Sequence, residues 1–121
     1  MNITRYLHTA ILVSDLAPAE QFYGGVLGLS KINRRLNYPG AWYELGEIQV
    51  HLIEDKDFVP QLQNPAKWGR NPHLALAVEN LEAAKAHLTA QGCELQLSAS
   101  GRAALFTQDP DGNVIELTEL S

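Results

Sequence analysis

Asp109-Pro110-Asp111-Gly112-Asn113-Val114-Ile115-Glu116-Leu117, close to the C-terminus, is the stretch whose reading decides the fold. Asp-Pro-Asp-Gly is a tight-turn signal, because Pro presets one turn dihedral and Gly supplies a positive φ. The run from Asn113 to Glu119 is β-branched and alternating, so it reads as a strand. Alternation puts Glu116 on one face with Val114 and Thr118, opposite Ile115 and Leu117. A carboxylate in the middle of an apolar strand needs a partner, because burying a lone charge is costly.

Working outward from that strand, the chain repeats itself. Arg5 to Val13 reads as a strand carrying His8, with Tyr6, Ala10 and Leu12 on its face. Ser14 and Asp15 then cap an amphipathic helix expected over Leu16 to Leu27, closed by Gly28. Strands are expected at Ser30 to Leu36, Ala41 to Gly46 and Glu47 to Glu54, the last carrying His51 beside Gln49 and Ile53. Asp55 to Asn71 contains Pro60, Pro65 and Gly69 without a clear period and reads as a linker. A second strand–helix–three-strand series follows: Pro72 to Val78 with His73, a helix from Asn80 to Gln91 closed by Gly92, then Cys93 to Ser98, Arg102 to Gln108 and Asn113 to Glu119. The expected fold is α+β, with two βαβββ modules in tandem forming curved mixed sheets. Module 1 spans about 5–54, the linker 55–71 and module 2 about 72–119, all in one domain.

Spacing supports the repeat. His8 and His73 lie 65 positions apart, and so do His51 and Glu116 (73 − 8 and 116 − 51). The same step pairs Asp15 with Asn80, Leu16 with Leu81 and Leu52 with Leu117, while Gly28 and Gly92 miss it by one. Duplication therefore sets four polar side chains at equivalent strand positions. Three neutral imidazoles and a carboxylate suit a divalent transition metal such as Zn, Ni, Co, Fe or Mn. The expected ligands are His8, His51, His73 and Glu116.

Composition bounds the rest. A chain of 121 residues is the size of one domain. A net charge of −5 argues against nucleic acid and anionic membranes as partners. Cys93 is alone, so no internal disulfide forms. It reads as a small buried apolar residue, since no base adjoins it. With no long apolar span and no signal peptide, the expected compartment is the cytoplasm. Arg102, flanked by small residues, reads either as a bidentate anchor for a substrate carboxylate or phosphate or as an exposed strand-edge charge. Each half-module leaves a long strand edge, which a homodimer would cover.

His8 through Leu16 with Phe22-Tyr23 and Val26-Leu27-Gly28-Leu29, Gln49-Val50-His51-Leu52, His73 through Val78, and Asp109 through Glu116 together resemble the vicinal oxygen chelate superfamily. That group includes glyoxalase I, fosfomycin-resistance thiol transferases, methylmalonyl-CoA epimerase, extradiol dioxygenases and bleomycin-resistance proteins. The resemblance implies metal ligands at His8, His73 and Glu116, with position 51 as a variable fourth. It implies a small oxygen-rich, anionic substrate whose oxyanion or enediolate is chelated to the metal, with Glu116 as catalytic base. A thiol cosubstrate and ligands shared between two chains belong to the same implication. Similarity to the transferases places Trp42 as an apolar wall and Gln49 as a hydrogen-bonding group at the metal cavity.

Departures narrow the reaction. Position 51 is His where glyoxalase I usually has Glu, and Ser98-Ala99-Ser100-Gly101-Arg102 differs from its glutathione loop. Ala10 stands where fosfomycin transferases carry Thr, and their basic tail past the final Glu is not expected after Glu116-Leu117-Thr118-Glu119-Leu120-Ser121. Extradiol dioxygenases are far longer. A metal-dependent lyase, isomerase or thiol transferase remains. The alternative is a drug-sequestering protein of the bleomycin-resistance type, a group that lacks the ligand set.

Overall fold

Two four-stranded mixed sheets carry the chain, in the orders β1-β4-β3-β2 and β5-β8-β7-β6. The structure is a computed structural model that describes every residue from Met1 to Ser121. It divides into two units, Met1–Val59 and Pro60–Ser121, each holding one sheet. The α+β architecture of two tandem βαβββ modules is therefore what the chain adopts.

The first unit comprises β1 (His8–Val13), α1 (Leu16–Glu20), β2 (Ser30–Lys31), β3 (Gly40–Leu45) and β4 (Ile48–Glu54). β1 runs parallel to β4, and the other pairings are antiparallel. Asp15 accepts from the Ala17 amide, and Glu54 at the end of β4 accepts from the Leu16 amide at 2.9 Å, so strand and helix are tied at the first turn. Ala19, Phe22 and Tyr23 on the helical segment are buried, as are Val13, Ala41, Tyr43, Val50 and Leu52 on the strands. Strand alternation leaves His8, Trp42, Gln49 and His51 for the other face of the sheet.

The second unit repeats this with β5 (His73–Val78), α2 (Leu81–Ala90), β6 (Gln96–Leu97), β7 (Ala104–Gln108) and β8 (Val114–Glu119). Here Asn80 caps Ala83, and Glu119 accepts from the Leu81 amide at 2.7 Å. Glu54 and Glu119 are themselves one repeat apart. The parallel registers match too: His8 faces Gln49, and His73 faces Val114. β7 is displaced by one residue, because Trp42 pairs with His51 whereas Phe106 pairs with Glu116. Gly28 and Gly92 show the same slip, and both adopt a positive φ (74° and 79°), the left-handed turn that ends each helical segment.

Several elements are shorter than the sequence leads one to expect. The helix over Leu16–Leu27 stays α only to Glu20, and Gln21–Val26 widens into a π-helix with Leu27 donating to the Phe22 carbonyl at 2.8 Å. Gly24-Gly25 lies inside that turn, and glycine has little preference for the tighter α geometry. A Cβ on Gly24 would stand 3.3 Å from the buried Tyr43 ring, so the helix sits as close to the sheet as a glycine allows. The strand expected over Ser30–Leu36 pairs only at Ser30–Lys31, and that over Cys93–Ser98 only at Gln96–Leu97. Of the stretch read as a linker, residues from Pro60 onward belong to the second unit, and Trp68–Arg70 forms a 3-10 turn. No helix is long and apolar enough to cross a membrane.

Candidate metal centre

β5 and β8 bring His73 and Glu116 together. Neighbouring parallel strands put the two side chains on one face, and His73 Nε2 lies 3.2 Å from Glu116 Oε1. The other ring nitrogen, Nδ1, is 2.7 Å from the Asn71 carbonyl oxygen. A carbonyl only accepts, so Nδ1 carries the proton and Nε2 is the nitrogen presented to the carboxylate. A backbone acceptor behind the ring is the arrangement that orients a metal-ligating histidine. A lone pair aimed at a carboxylate oxygen is repulsive unless a proton or a cation stands between them. Two donors each about 2.0–2.2 Å from one ion are separated by little more than 3 Å, so the pair fits a divalent metal.

Glu116 is 8 % exposed and well satisfied. The Thr118 hydroxyl donates to Oε2 at 2.6 Å, and Arg102 Nη1 lies 3.6 Å from the same oxygen. Burial pushes the carboxyl pKa up, but the Thr118 hydrogen bond, Arg102 and His73 together outweigh burial and hold it below its ordinary value. Glu116 is an anion at neutral pH.

In the first unit the two histidines stack instead. The His8 and His51 rings are 4.1 Å apart at 16°, Trp42 lies 3.8 Å from His51 on the same axis, and the Arg34 guanidinium caps Trp42 at 4.2 Å. His51 Nε2 is 2.8 Å from Gln49 Oε1, which makes Nε2 the protonated nitrogen and leaves the lone pair on Nδ1. Burial, His8 and Arg34 lower the His51 pKa, so its ring is neutral at physiological pH, as a ligand must be. Lone pairs in two nearly parallel ring planes do not converge within bonding distance of one ion. His8 is exposed and is the ring with room to turn. Nowhere in the chain do three or more His, Cys, Asp or Glu side chains stand together as a metal cluster. The expected ligands thus fall into two pairs, one in each unit.

The other expected site residues have definite places. Trp42 is clasped between His51 and Arg34, with its ring N–H donated to the Tyr38 hydroxyl at 2.8 Å. Gln49 touches His51 through its side chain. Arg102 reaches Glu116 and is half exposed. Cys93 is partly buried, which pushes its thiol pKa up. Thr118 was visible in sequence as a neighbour of Glu116 on the same strand face. Arg34 and Asn71 carried no such signal, since each acts from an irregular segment.

The family model described as Glyoxalase/Bleomycin resistance protein/Dioxygenase superfamily matches residues 5–117. The chain belongs to this superfamily. Within it, the chain is 30% identical to lactoylglutathione lyase of Salmonella typhimurium, over 95% of this chain and 92% of that one. A glyoxalase/dioxygenase from Nostoc punctiforme superposes with a TM-score of 0.83 at 21% identity, covering 99% of this chain and 93% of the other. An antibiotic binding protein from a Streptomyces strain superposes at 0.73 with 22% identity, covering 100% and 99%. Both likenesses are of fold alone. The glyoxalase scaffold thus serves an enzyme-like protein and a binding protein alike, and function must be argued from the site.

Proposed function

We propose that this superfamily member is a metal-dependent enzyme of the lyase, isomerase or thiol-transferase kind, with a small oxygen-rich anion as substrate. His8, His51, His73 and Glu116 are the ligands proposed for a divalent ion (Zn, Ni, Co, Fe or Mn). The observation that carries the reading is His73, anchored at Nδ1 and aimed through Nε2 at an ionised Glu116. When bound, the ion supplies Lewis-acid stabilisation of an anionic oxygen.

The chain's own residues do the rest. Glu116 is the one carboxylate among the proposed ligands and the general base, with Oε1 free of Thr118. Thr118 and Arg102 hold Oε2 and so fix the plane of the carboxylate. A substrate anion that drew Arg102 away would remove one of the groups lowering the Glu116 pKa and make it a stronger base. Three neutral imidazoles and one carboxylate leave a divalent site with a net positive charge, which favours anionic substrates.

The proposed assembly is a homodimer. β1 and β5 each end a sheet, and His8, Ala10 and Leu12 on one and His73, Ala75 and Ala77 on the other are exposed. Open edges with small and apolar side chains favour association with a second chain. The His8–His51 pair of one chain and the His73–Glu116 pair of another would then share an ion.

Elemental analysis of protein purified without a His tag, followed by glyoxalase, epimerase and thiol-transfer assays, tests the reading. The expected result is a bound or bindable divalent ion at neutral pH and turnover in one of the assays. A chain that binds no such metal would instead be a sequestering protein.

A further inference from the structure

A cavity of about 420 Å³ lies within the second unit, with no residue of α2 in its lining. Lys67, Arg70 and Arg102 line it, together with Ser98, Ser100 and Phe106. The chain has only nine Lys and Arg against fourteen Asp and Glu, yet three of the nine converge here and no acidic residue lines the wall. Neither Lys67 nor Arg70 takes part in the ion pairs Lys31–Glu20, His73–Glu116 and Arg102–Glu116. Uncompensated positive charge in a concave, low-dielectric wall concentrates anions.

The walls are built rather than incidental. Gln96 on β6 accepts from the Trp68 amide at 2.8 Å and donates to the Ala66 carbonyl at 2.9 Å, pinning the 3-10 turn that carries Lys67 and Arg70. Asn71, buried at the end of that turn, donates to the carbonyls of Asn64, Lys67 and Trp68. Gly69 rests on the Phe106 ring so closely that a Cβ would come within 2.6 Å of Cζ, so only glycine lets the turn settle there. On the opposite wall the Ser98 and Ser100 hydroxyls share a hydrogen bond, and Arg102 Nε donates to Ser100. At 3.6 Å from Glu116 the Arg102 terminus makes an ion pair without a hydrogen bond, which leaves its donors for a ligand.

We infer that this cleft binds the doubly negative group of a small organic molecule, of the phosphate-monoester type. Three cations and two hydroxyls match a dianion with several acceptor oxygens better than a single carboxylate. Phe106 and Leu97 supply an apolar wall for a carbon body, and the volume falls in the range of small-molecule sites, about 300–1,000 Å³. Arg102 and Phe106 also connect the cleft to the proposed metal ligands: Arg102 reaches Glu116, and the Phe106 ring stands edge-on to His73 at 5.7 Å. That the occupant is the enzyme's substrate, anchored by its anionic end with its other end towards His73 and Glu116, rests on the function proposed above. The binding itself does not.

The test uses the full chain after treatment with a chelator, so that no probe is read through a metal. Phenyl phosphate, benzoate and benzyl alcohol are titrated by calorimetry at mildly alkaline pH, where the first is doubly charged. Phenyl phosphate is expected to bind roughly tenfold or more tighter than benzoate, with benzyl alcohol weakest. Lys67→Gln and Arg70→Gln should each weaken phenyl phosphate roughly tenfold and flatten its salt dependence, with circular dichroism unchanged. Equal affinities for phenyl phosphate and benzoate, or undiminished binding in both variants, would overturn the inference. Because the readout is metal-free, a failed metal analysis leaves this result standing, and failure here leaves the metal ligands standing.

Discussion

The two units share a backbone plan and differ in what they hang on it. In the first, His8 and His51 form part of an aromatic stack with Trp42, capped by the Arg34 guanidinium. In the second, at the equivalent strand positions, His73 and Glu116 form a polar pair backed by Asn71, Thr118 and Arg102. Their neighbours on the adjoining strand correspond in register, Trp42 with His51 and Phe106 with Glu116, but the Trp42 ring lies face-on to His51 whereas the Phe106 ring stands edge-on to His73. Duplication therefore supplied two equal sets of strand positions, and substitution made one set aromatic and the other ionic. A metal centre drawing on both sets would take only a single negative charge from the protein.

The largest expected effect tests that division of labour. Glu116→Gln should retain some metal and lose turnover by roughly 10²–10⁴-fold, the usual range for removing a general base. His51→Gln should keep metal and a substantial share of activity, since Gln can still present a neutral donor. Metal content and kcat measured on both variants decide it. A dead His51→Gln beside an active Glu116→Gln would reverse the roles assigned to the two units.

A smaller recovery of activity is expected from mixing. If a site takes one pair from each chain, inactive His8→Ala and Glu116→Gln proteins should regain some activity as subunits exchange. Purely additive, inactive mixtures would mean that each site is built otherwise. Sedimentation at micromolar concentration gives the oligomeric state, and a monomer would remove the shared version.

The smallest effect is confined to alkaline pH and to the first unit. Burial, helped by Glu20, pushes the Tyr43 pKa to about 12, whereas its counterpart after the one-residue slip, Thr107, cannot ionise. Below pH 10 both folded and unfolded chains keep the Tyr43 proton and its contribution to stability is complete. As pH rises from 10 towards about 12 the unfolded chain loses the proton first, and that stability is lost. Ultraviolet titration should show Tyr43 ionising late, and Tyr43→Phe should lower the late absorbance step by one tyrosine.

Strand alternation has a period of 2 and needs only local sequence, so the faces of Glu116, His51, His8 and His73 could be assigned from the chain alone. The 65-residue step carried the registers too, because equal spacing between copies gives His8–Gln49 and His73–Val114 equal alignments. Even the slipped β7 was foreshadowed by Gly28 and Gly92. What alternation does not encode is where irregular backbone returns in space. The π-helix at Gly24-Gly25, the short β2 that frees Arg34 to cover Trp42, and the packed turn that carries Lys67 and Arg70 have no periodic signature. Arg102 could be read as anchor or as exposed charge until β7 and β8 set it beside Glu116. Residue spacing determined which strand faces carry the polar groups; long-range packing decided which irregular segments came to rest against them, because nothing short of the folded chain specifies those distances.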